Sequence, residues 1–450
     1  MDSTSRRDFL KATAATLGAA AVTSGEAAAG PAQAAPDTLL FSAPPLDRVR
    51  VGFVGVGGMG TVHLENYLAL EGVELKAVCD IDPAHAERAR KKVVDAGQPS
   101  PTLYTKGDRD FERMCGEEQL DLVFNATPWE WHVPVMLAAL KTGKHAATEV
   151  PAAYRVDDCW ALVEAAEKYK KHAVMMENCC YDRREMLALM LVRKGMFGEL
   201  LHAECGYLHD LRVHKLTDFY EQRWRVRHSI ERNGDLYPTH GLGPVAQWMN
   251  INRGNRFDYL VSMASPSRGL NLWAAEHIGP ESAEAKQRYA LGDVVNTLIR
   301  TGRGQTILVT HDTNSPRPYS RRILLQGTKG IVRKYPEQKI HVAGRSPEHR
   351  WEELEAYRAE FEHPIWKALE ERSRGAGHGG MDYIEDFRLI ECLRRGEPLD
   401  MDVYDGAAWS AVSELSARSI AERSRPIDFP DFTRGAWRSR PPLGIVGSGV

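Results

Sequence analysis

The chain has 450 residues, more than one ordinary hydrophobic core accommodates, so two domains with accessory segments are expected. Hydrophobic residues make up 43% and charged residues 26%, the mix of a globular protein rather than a disordered or membrane-embedded one. With 58 basic against 61 acidic side chains and a formal charge of −3, no global field gathers nucleic acid or anionic lipid, and nucleic acid is not an expected partner.

Residues 1–36 differ in texture from everything after them. Ser5-Arg6-Arg7-Asp8-Phe9-Leu10-Lys11 places paired arginines ahead of a mild Ala/Leu/Val/Gly run from Ala12 to Val22, and an Ala-rich stretch follows. This is the layout of a twin-arginine export signal. It implies the twin-arginine machinery as a partner and a periplasmic or otherwise exported location. The apolar run is too short and too rich in Ala and Gly to remain as a membrane anchor. That route carries folded proteins, so a cofactor can be loaded before export. Residues 37–46 read as a linker.

From residue 47 to about 180, strands and helices alternate. Arg48–Val54 reads as a buried strand, Thr61–Leu70 as a helix, Glu74–Asp80 as a strand and His85–Ala96 as a helix. A short strand near Thr102, strands at Leu120–Asn125 and Lys144–Glu149, and a helix at Pro134–Thr142 continue the pattern. Such alternation predicts a doubly wound parallel sheet, a Rossmann domain. From 181 to 430 the texture changes to short β segments: Leu200–Tyr207, Tyr259–Ala264, Val294–Arg300, Thr306–Asp312, Arg321–Gly327 and Gly330–Arg333. These predict a second α/β domain with an open, largely antiparallel sheet. Helices are expected at Met381–Arg394 and Tyr404–Arg423, and residues 431–450 read as a tail. Seven cysteines, an odd number without metal-type spacing, read as buried free thiols, and no metal site is expected.

Gly55-Val56-Gly57-Gly58-Met59-Gly60 lies between the first strand and the first helix, the context in which GxGxxG binds a dinucleotide. Gly55 allows the turn, Gly57 lets the backbone approach a pyrophosphate, and Gly60 permits close helix–strand packing. Asp80 ends the second strand, where a carboxylate accepts from the ribose hydroxyls and repels a 2′-phosphate; no arginine follows in Ile81-Asp82-Pro83, so NAD is favoured over NADP. A cap on the next helix is the other reading of Asp80. Trp129, Glu130, Trp131 and His132 follow the carboxyl end of the fourth strand, and Glu149, Val150 and Pro151 that of the next. Open α/β sheets bind their ligands at this edge.

These features resemble the Gfo/Idh/MocA oxidoreductases, in most of which the second of these strand ends reads Glu-Lys-Pro; here it is Glu149-Val150-Pro151, without the lysine that helps deprotonate a hydroxyl. Trp129-Glu130-Trp131-His132, Glu149-Val150-Pro151, Glu177-Asn178-Cys179-Cys180-Tyr181, the run Gly234 to Gln247 and His378-Gly379-Gly380-Met381-Asp382 resemble glycoside hydrolase family 109, the NAD-dependent α-N-acetylgalactosaminidases. The resemblance implies tightly held NAD that is regenerated each turnover. The sugar C3 hydroxyl is oxidised by hydride transfer, the acidified C2 proton is removed, the glycosidic group is eliminated, water adds, and hydride returns. It assigns Gly58, Met59, Asp80, Trp129, Glu130, Trp131, His132, Glu149, Val150 and Asn178 to NAD. It assigns Tyr207, Arg225, Tyr237, Pro238, Thr239, His240 and Tyr319 to a carbohydrate substrate, with Tyr181 and His240 as acid/base candidates. Taken alone, His240 also reads as a structural histidine, Tyr181 as a core aromatic and Arg225 as part of a solvated basic face. Two rival functions stay open: a sugar or inositol dehydrogenase, and an NAD-loaded sugar-binding protein without turnover. Homo-oligomerisation through the open sheet is a further expectation from the superfamily.

Overall fold

The computed structural model describes residues 43–446; the twin-arginine segment and most of the linker lie outside the described residues. Six parallel strands, β1 (Val49–Val54), β2 (Val73–Cys79), β3 (Thr102–Tyr104), β4 (Leu122–Asn125), β5 (His145–Thr148) and β6 (Ala173–Met175), form one sheet in the order β3-β2-β1-β4-β5-β6. This is the Rossmann order expected from the alternation. β4 and β5 are buried at every residue, as befits strands covered on both faces. Phe53, Tyr67 and Phe124 interlock at centroid distances of 5.1–5.5 Å between β1, β4 and the helix Gly58–Leu68. The strand order reverses between β1 and β4, which opens the ligand crevice beyond their carboxyl ends.

Nine strands form the second sheet: β7 (Leu200–Leu208), β8 (Phe257–Ala264), β9 (Val294–Thr301), β10 (Thr306–Asp312), β11 (Leu324–Gly327), β12 (Gly330–Arg333), β13 (Lys339–Val342), β14 (Glu352–Glu353) and β15 (Ile427–Asp428). Their order is β14-β13-β12-β11-β7-β10-β9-β8-β15, and every pairing is antiparallel except β7 with β10. β9 alternates strictly, Val295, Thr297, Ile299 and Thr301 buried and Asn296, Leu298 and Arg300 exposed, so the sheet has one covered and one open face. The helices Thr239–Trp248 and Val412–Ala421 pack against β7 and β8.

The expected helix Tyr404–Arg423 is two helices, Val403–Ser410 and Val412–Ala421; Ala411 keeps helical φ/ψ of −59° and −25°, so the break is a tightened turn rather than a reversal. The helix Met381–Arg395 returns to the first domain and packs on β1 and on the helix Gly58–Leu68. Phe432, Leu443 and Ile445 are buried, and Ile445 O accepts from His363 Nε2 at 2.8 Å, so the described part of the tail lies against the body. All seven cysteines are buried free thiols. Among the described residues no helix is long and apolar enough to cross a membrane.

Candidate active site

A cleft of about 970 Å³ runs from the carboxyl edge of the Rossmann sheet to the loops around β7, large enough for a dinucleotide and a sugar together. At its first end Gly55 has φ +79°, and a Cβ at Gly60 would lie 2.0 Å from Gly55 O, so the helix can approach the strand only through a glycine. Gly60 is thus a packing residue beneath the cleft, whereas Gly55, Gly57, Gly58 and Met59 line it. A Cβ at Gly58 would meet nothing within 4 Å. The helix Gly58–Leu68 begins without a side-chain cap and without an acidic residue in its first turn, leaving its N–H groups for phosphate. Asp80 accepts from Val56 N at 2.8 Å and from Asp82 N at 2.9 Å, while Asp82 caps the next helix through Ala84 N. Asp80 therefore braces the glycine-rich turn from the ribose position and is not the helix cap. The open cradle, the uncapped helix and the carboxylate at the strand end fit a dinucleotide.

Trp129–Trp131 form a single 3-10 turn after β4. Trp129 stacks on Tyr237 at 5.5 Å, joining the two ends of the cleft. Trp131 packs edge-on against Phe111 at 6.0 Å. Glu130 pairs with Arg227 and lies 3.8 Å from His228. His132 is held between two backbone carbonyls, Pro151 O at 2.7 Å and Thr127 O at 2.8 Å, and burial holds it below its ordinary pKa. Glu149 accepts from His63 Nε2 at 2.9 Å, and His63 Nδ1 lies 2.9 Å from the buried Asp386. Burial opposes a charge on His63, but the carboxylates of Asp386 and Glu149 outweigh it and raise its pKa well above the usual value, so an imidazolium bridges two carboxylates. Asn178 Nδ2 donates to Asp382 at 2.7 Å, and His378 shares that carboxylate.

At the far end His240 Nδ1 is 2.7 Å from Glu177 Oε1, and Glu177 is wholly buried. A carboxylate there fixes Nδ1–H and leaves the Nε2 lone pair for a proton. The imidazole lies 5.4 Å from Tyr207 and 4.9 Å from Tyr237, edge-on to both rings. The Tyr207 hydroxyl donates to His209 Nδ1 at 2.9 Å. Burial first, with His214 and Arg225, pushes His209 down to about 4, and burial pushes Tyr207 up to about 12, so a neutral imidazole faces a protonated phenol. Arg225 is buried among aromatic rings, with its guanidinium 4.8 Å from the Tyr237 ring centroid and 5.1 Å from that of Trp129. It donates to Tyr220 Oη at 2.9 Å, and among the described residues it has no carboxylate partner. It is therefore not part of a solvated face.

Tyr181 does not join this site. Its side chain turns from the end of the 3-10 turn Asn178–Tyr181 into a separate internal cavity with Glu385, Arg388 and Asp400, where its hydroxyl meets Asp400 at 3.2 Å. Burial pushes that phenol far above its usual range, and with its hydroxyl on Asp400 and its side chain outside the cleft lining it is not placed to exchange a proton there. Pro238 and Thr239 start the helix beneath Tyr237 and His240; Thr239 is fully buried, and neither lines the cleft. Tyr319 packs against His209 at 5.1 Å, outside the lining. Glu177, Cys179 and His240 bring one ligand atom each within 4.8 Å of one another, but Arg321 donates to Cys179 Sγ at 2.7 Å, which sets a fixed cation where a metal would bind. Sequence reasoning passed over Glu177, His63, Asp386 and His209. The first stands two residues beyond β6, where the strand-end rule points; the others carried no local signal.

Residues 49–177 match the family described as "Oxidoreductase family, NAD-binding Rossmann fold", and residues 181–439 match "Glycosyl hydrolase 109, C-terminal domain". The chain is 45% identical over 454 residues to a glycosyl hydrolase family 109 protein of Shewanella pealeana, covering 98% of this chain and 99% of that one. It is 46% identical over 411 residues to glycosyl hydrolase family 109 protein 1 of Shewanella sp. strain MR-4, covering 90% of each. Among solved structures, levoglucosan dehydrogenase in complex with NADH and levoglucosan superposes with a TM-score of 0.65 at 21% identity, over 85% of this chain and 100% of that one. Scyllo-inositol dehydrogenase from Lactobacillus casei with NAD(H) and scyllo-inositol does so at 0.59 and 15%, over 85% and 99%. These two likenesses speak for the fold. The two family matches cover both sheets and the cleft between them, and the chain belongs to glycosyl hydrolase family 109 as an NAD-dependent glycoside hydrolase with a Gfo/Idh/MocA-type NAD-binding domain.

Proposed function

We propose that the protein removes terminal α-linked N-acetylgalactosamine from carbohydrates by C3 oxidation, C2 deprotonation, elimination, water addition and re-reduction. The observation that carries this reading is His240, set by buried Glu177 at 2.7 Å with its other nitrogen open to the sugar end of the cleft. Glycosidases of the ordinary kind use two carboxylates across the scissile bond. Of the carboxylates that line the cleft, Glu130 is paired with Arg227, Glu149 with His63, and Asp80 braces the glycine-rich turn. An imidazole base suits removal of a proton next to a ketone. NAD, when bound, supplies a temporary store for the electron pair taken from C3.

His240 Nε2 accepts the C2 proton as the glycosidic bond breaks. The Tyr207 hydroxyl, held by neutral His209, is the second proton-bearing group and takes the part first expected of Tyr181. Arg225, a buried cation without a carboxylate, receives a carbonyl oxygen such as that of an acetamide and opposes the negative charge that develops next to C2. The same reading includes tight NAD retention, export by the twin-arginine route, and self-association through the open sheet face, where Met263 and Leu298 are exposed. A monomer by light scattering at micromolar concentration argues against the last.

The test uses purified protein without added NAD and p-nitrophenyl α-N-acetylgalactosaminide in deuterated water, following nitrophenol and reduced cofactor together. Release over many turnovers, with deuterium at C2 and no net reduction, supports the proposal. Silence with this substrate, but accumulation of reduced cofactor with free sugars once NAD is added, makes the protein a dehydrogenase.

A further inference from the structure

The helix Met381–Arg395 carries Asp382 and Asp386 four residues apart on one face, and each holds a histidine. Asp386 holds His63 and through it Glu149. The second pair, His378 with Asp382, has no part in the chemistry above. Asp382 is wholly buried; its Oδ2 lies 2.7 Å from His378 Nδ1, and its Oδ1 accepts from Asn178 Nδ2 at 2.7 Å. With Nδ1 committed to a carboxylate, Nε2–H is the group the ring can offer elsewhere. The ring is not buried with its partner: the side chain is 51% exposed and lines the same cleft as Gly57, Gly58 and Met59.

The backbone explains how it arrives there. His378, Gly379 and Gly380 take φ of +48°, +73° and +97°, a left-handed run that turns the chain sharply. The turn rests on the N-terminal half of the helix Gly58–Leu68: a Cβ at Gly377 would lie 2.8 Å from Val62 Cγ1. Few side chains other than glycine occupy the left-handed region, histidine being one of the types that does, and such positions collect at ligand clamps. The charged groups facing His378 are Asp382 on the following helix, Glu149 at the end of β5 and His63 on the helix Gly58–Leu68. The hydrogen bond that His378 donates to Asp382 raises its pKa; burial and His63 oppose, and Asp382 and Glu149 prevail.

We propose that His378 is a phosphate-binding residue of the NAD site, an imidazolium held by Asp382 whose Nε2–H adds a cationic contact to the backbone N–H groups of the glycine-rich turn. The ligand class is a diphosphate diester. Asp382 is a positioning residue, and the turn Gly377–Gly380 is a clasp contributed by the C-terminal half of the chain. The inference rests on the NAD-binding domain and is independent of which sugar is cleaved.

The test measures binding rather than turnover. Full-length protein stripped of NAD is titrated with NAD, ADP-ribose and adenosine, read by quenching of the cleft tryptophans, from pH 6 to 9. His378→Gln is expected to weaken NAD and ADP-ribose alike by about tenfold, the scale of one charge-assisted hydrogen bond, and to leave adenosine unchanged. The advantage of the wild type is expected to shrink as pH rises through the raised pKa of His378, because the deprotonated ring carries no charge; the variant is flat. His378→Lys, which restores a cation, is expected to stay within about threefold of wild type. Unchanged ADP-ribose affinity in His378→Gln overturns the proposal. So does weakening confined to NAD, which places the contact on nicotinamide, and so does equal loss in His378→Gln and His378→Lys.

Discussion

Replacing Glu177 by Gln keeps the shape of a wholly buried side chain and removes its charge, so it isolates what the carboxylate does for His240. The 2.7 Å contact is short, as expected for a charge-assisted hydrogen bond, a class that contributes about 1.5–3 kcal/mol. Gln can keep a carbonyl oxygen where Glu177 Oε1 meets both His240 Nδ1 and the backbone N–H of Cys179, so the substitution removes the charge and leaves the tautomer of His240 in place. At about 1.4 kcal/mol per factor of ten, losing the charge assistance slows the chemical step by roughly 10-fold, and losing the whole contact by up to about 150-fold. KM is expected to hold within about threefold because Glu177 does not line the cleft. Glu177 Oε2 has no hydrogen-bond partner in the wild type, so neutralising this residue is expected to shift the melting temperature by no more than a few degrees. The assay is aryl-glycoside turnover beside NAD affinity and thermal unfolding. A kcat within twofold of wild type, with the fold and NAD binding intact, refutes the assignment of His240 as a base set by Glu177.

Gly60→Ala places a methyl group 2.0 Å from Gly55 O; we expect a loss of about 1–3 kcal/mol in thermal unfolding and NAD affinity below detection by calorimetry. Arg225→Met keeps much of the volume inside the aromatic box but removes the cation, and kcat/KM is expected to fall roughly 100-fold while NAD affinity stays within about twofold, measured by steady-state kinetics and titration. Asp182 is half-buried, with Lys334 and Arg321 each at 2.7 Å; desolvation raises its pKa, but these cations outweigh it and hold the carboxyl well below its ordinary value. A depressed folded pKa gives stability that is present above the unfolded pKa and lost as pH falls through it. Asp182→Asn is therefore expected to cost about 3 kcal/mol in urea unfolding at pH 7 and distinctly less at pH 3. An equal cost at both pH values counts against the ion-pair account.

Strands with a local signal were legible in the sequence. β1, β2, β4 and β5 are apolar runs ending in turn or polar residues, and β10 and β12 match their expected bounds residue for residue. β6, β13, β14 and β15 were not: β14 and β15 have two residues each, too few for any periodicity, and β15 pairs with β8 far away in the chain. The glycine-rich turn and Asp80 were readable because their geometry is local. Tyr181 was misplaced for the converse reason: its neighbour Asn178 reaches the cleft, and nothing in the sequence tells that a 3-10 turn points the two side chains into different cavities. The partners that set the histidines could not be inferred either, since Asp386 stands 323 residues from His63 and only the folded chain brings them together.

That separation has a consequence for biosynthesis. Asn178 is held by Asp382, Glu149 is held through His63 by Asp386, and Leu46 donates to Leu393 O at 3.2 Å, so the first domain draws part of its support from the end of the chain. Cotranslational folding can build the six-stranded sheet early, but the cofactor pocket gains its last wall only after the C-terminal helix has been synthesised. The wall that His378 contributes thus forms last in synthesis, and the complete cleft exists only once the far end of the polypeptide has joined the first domain.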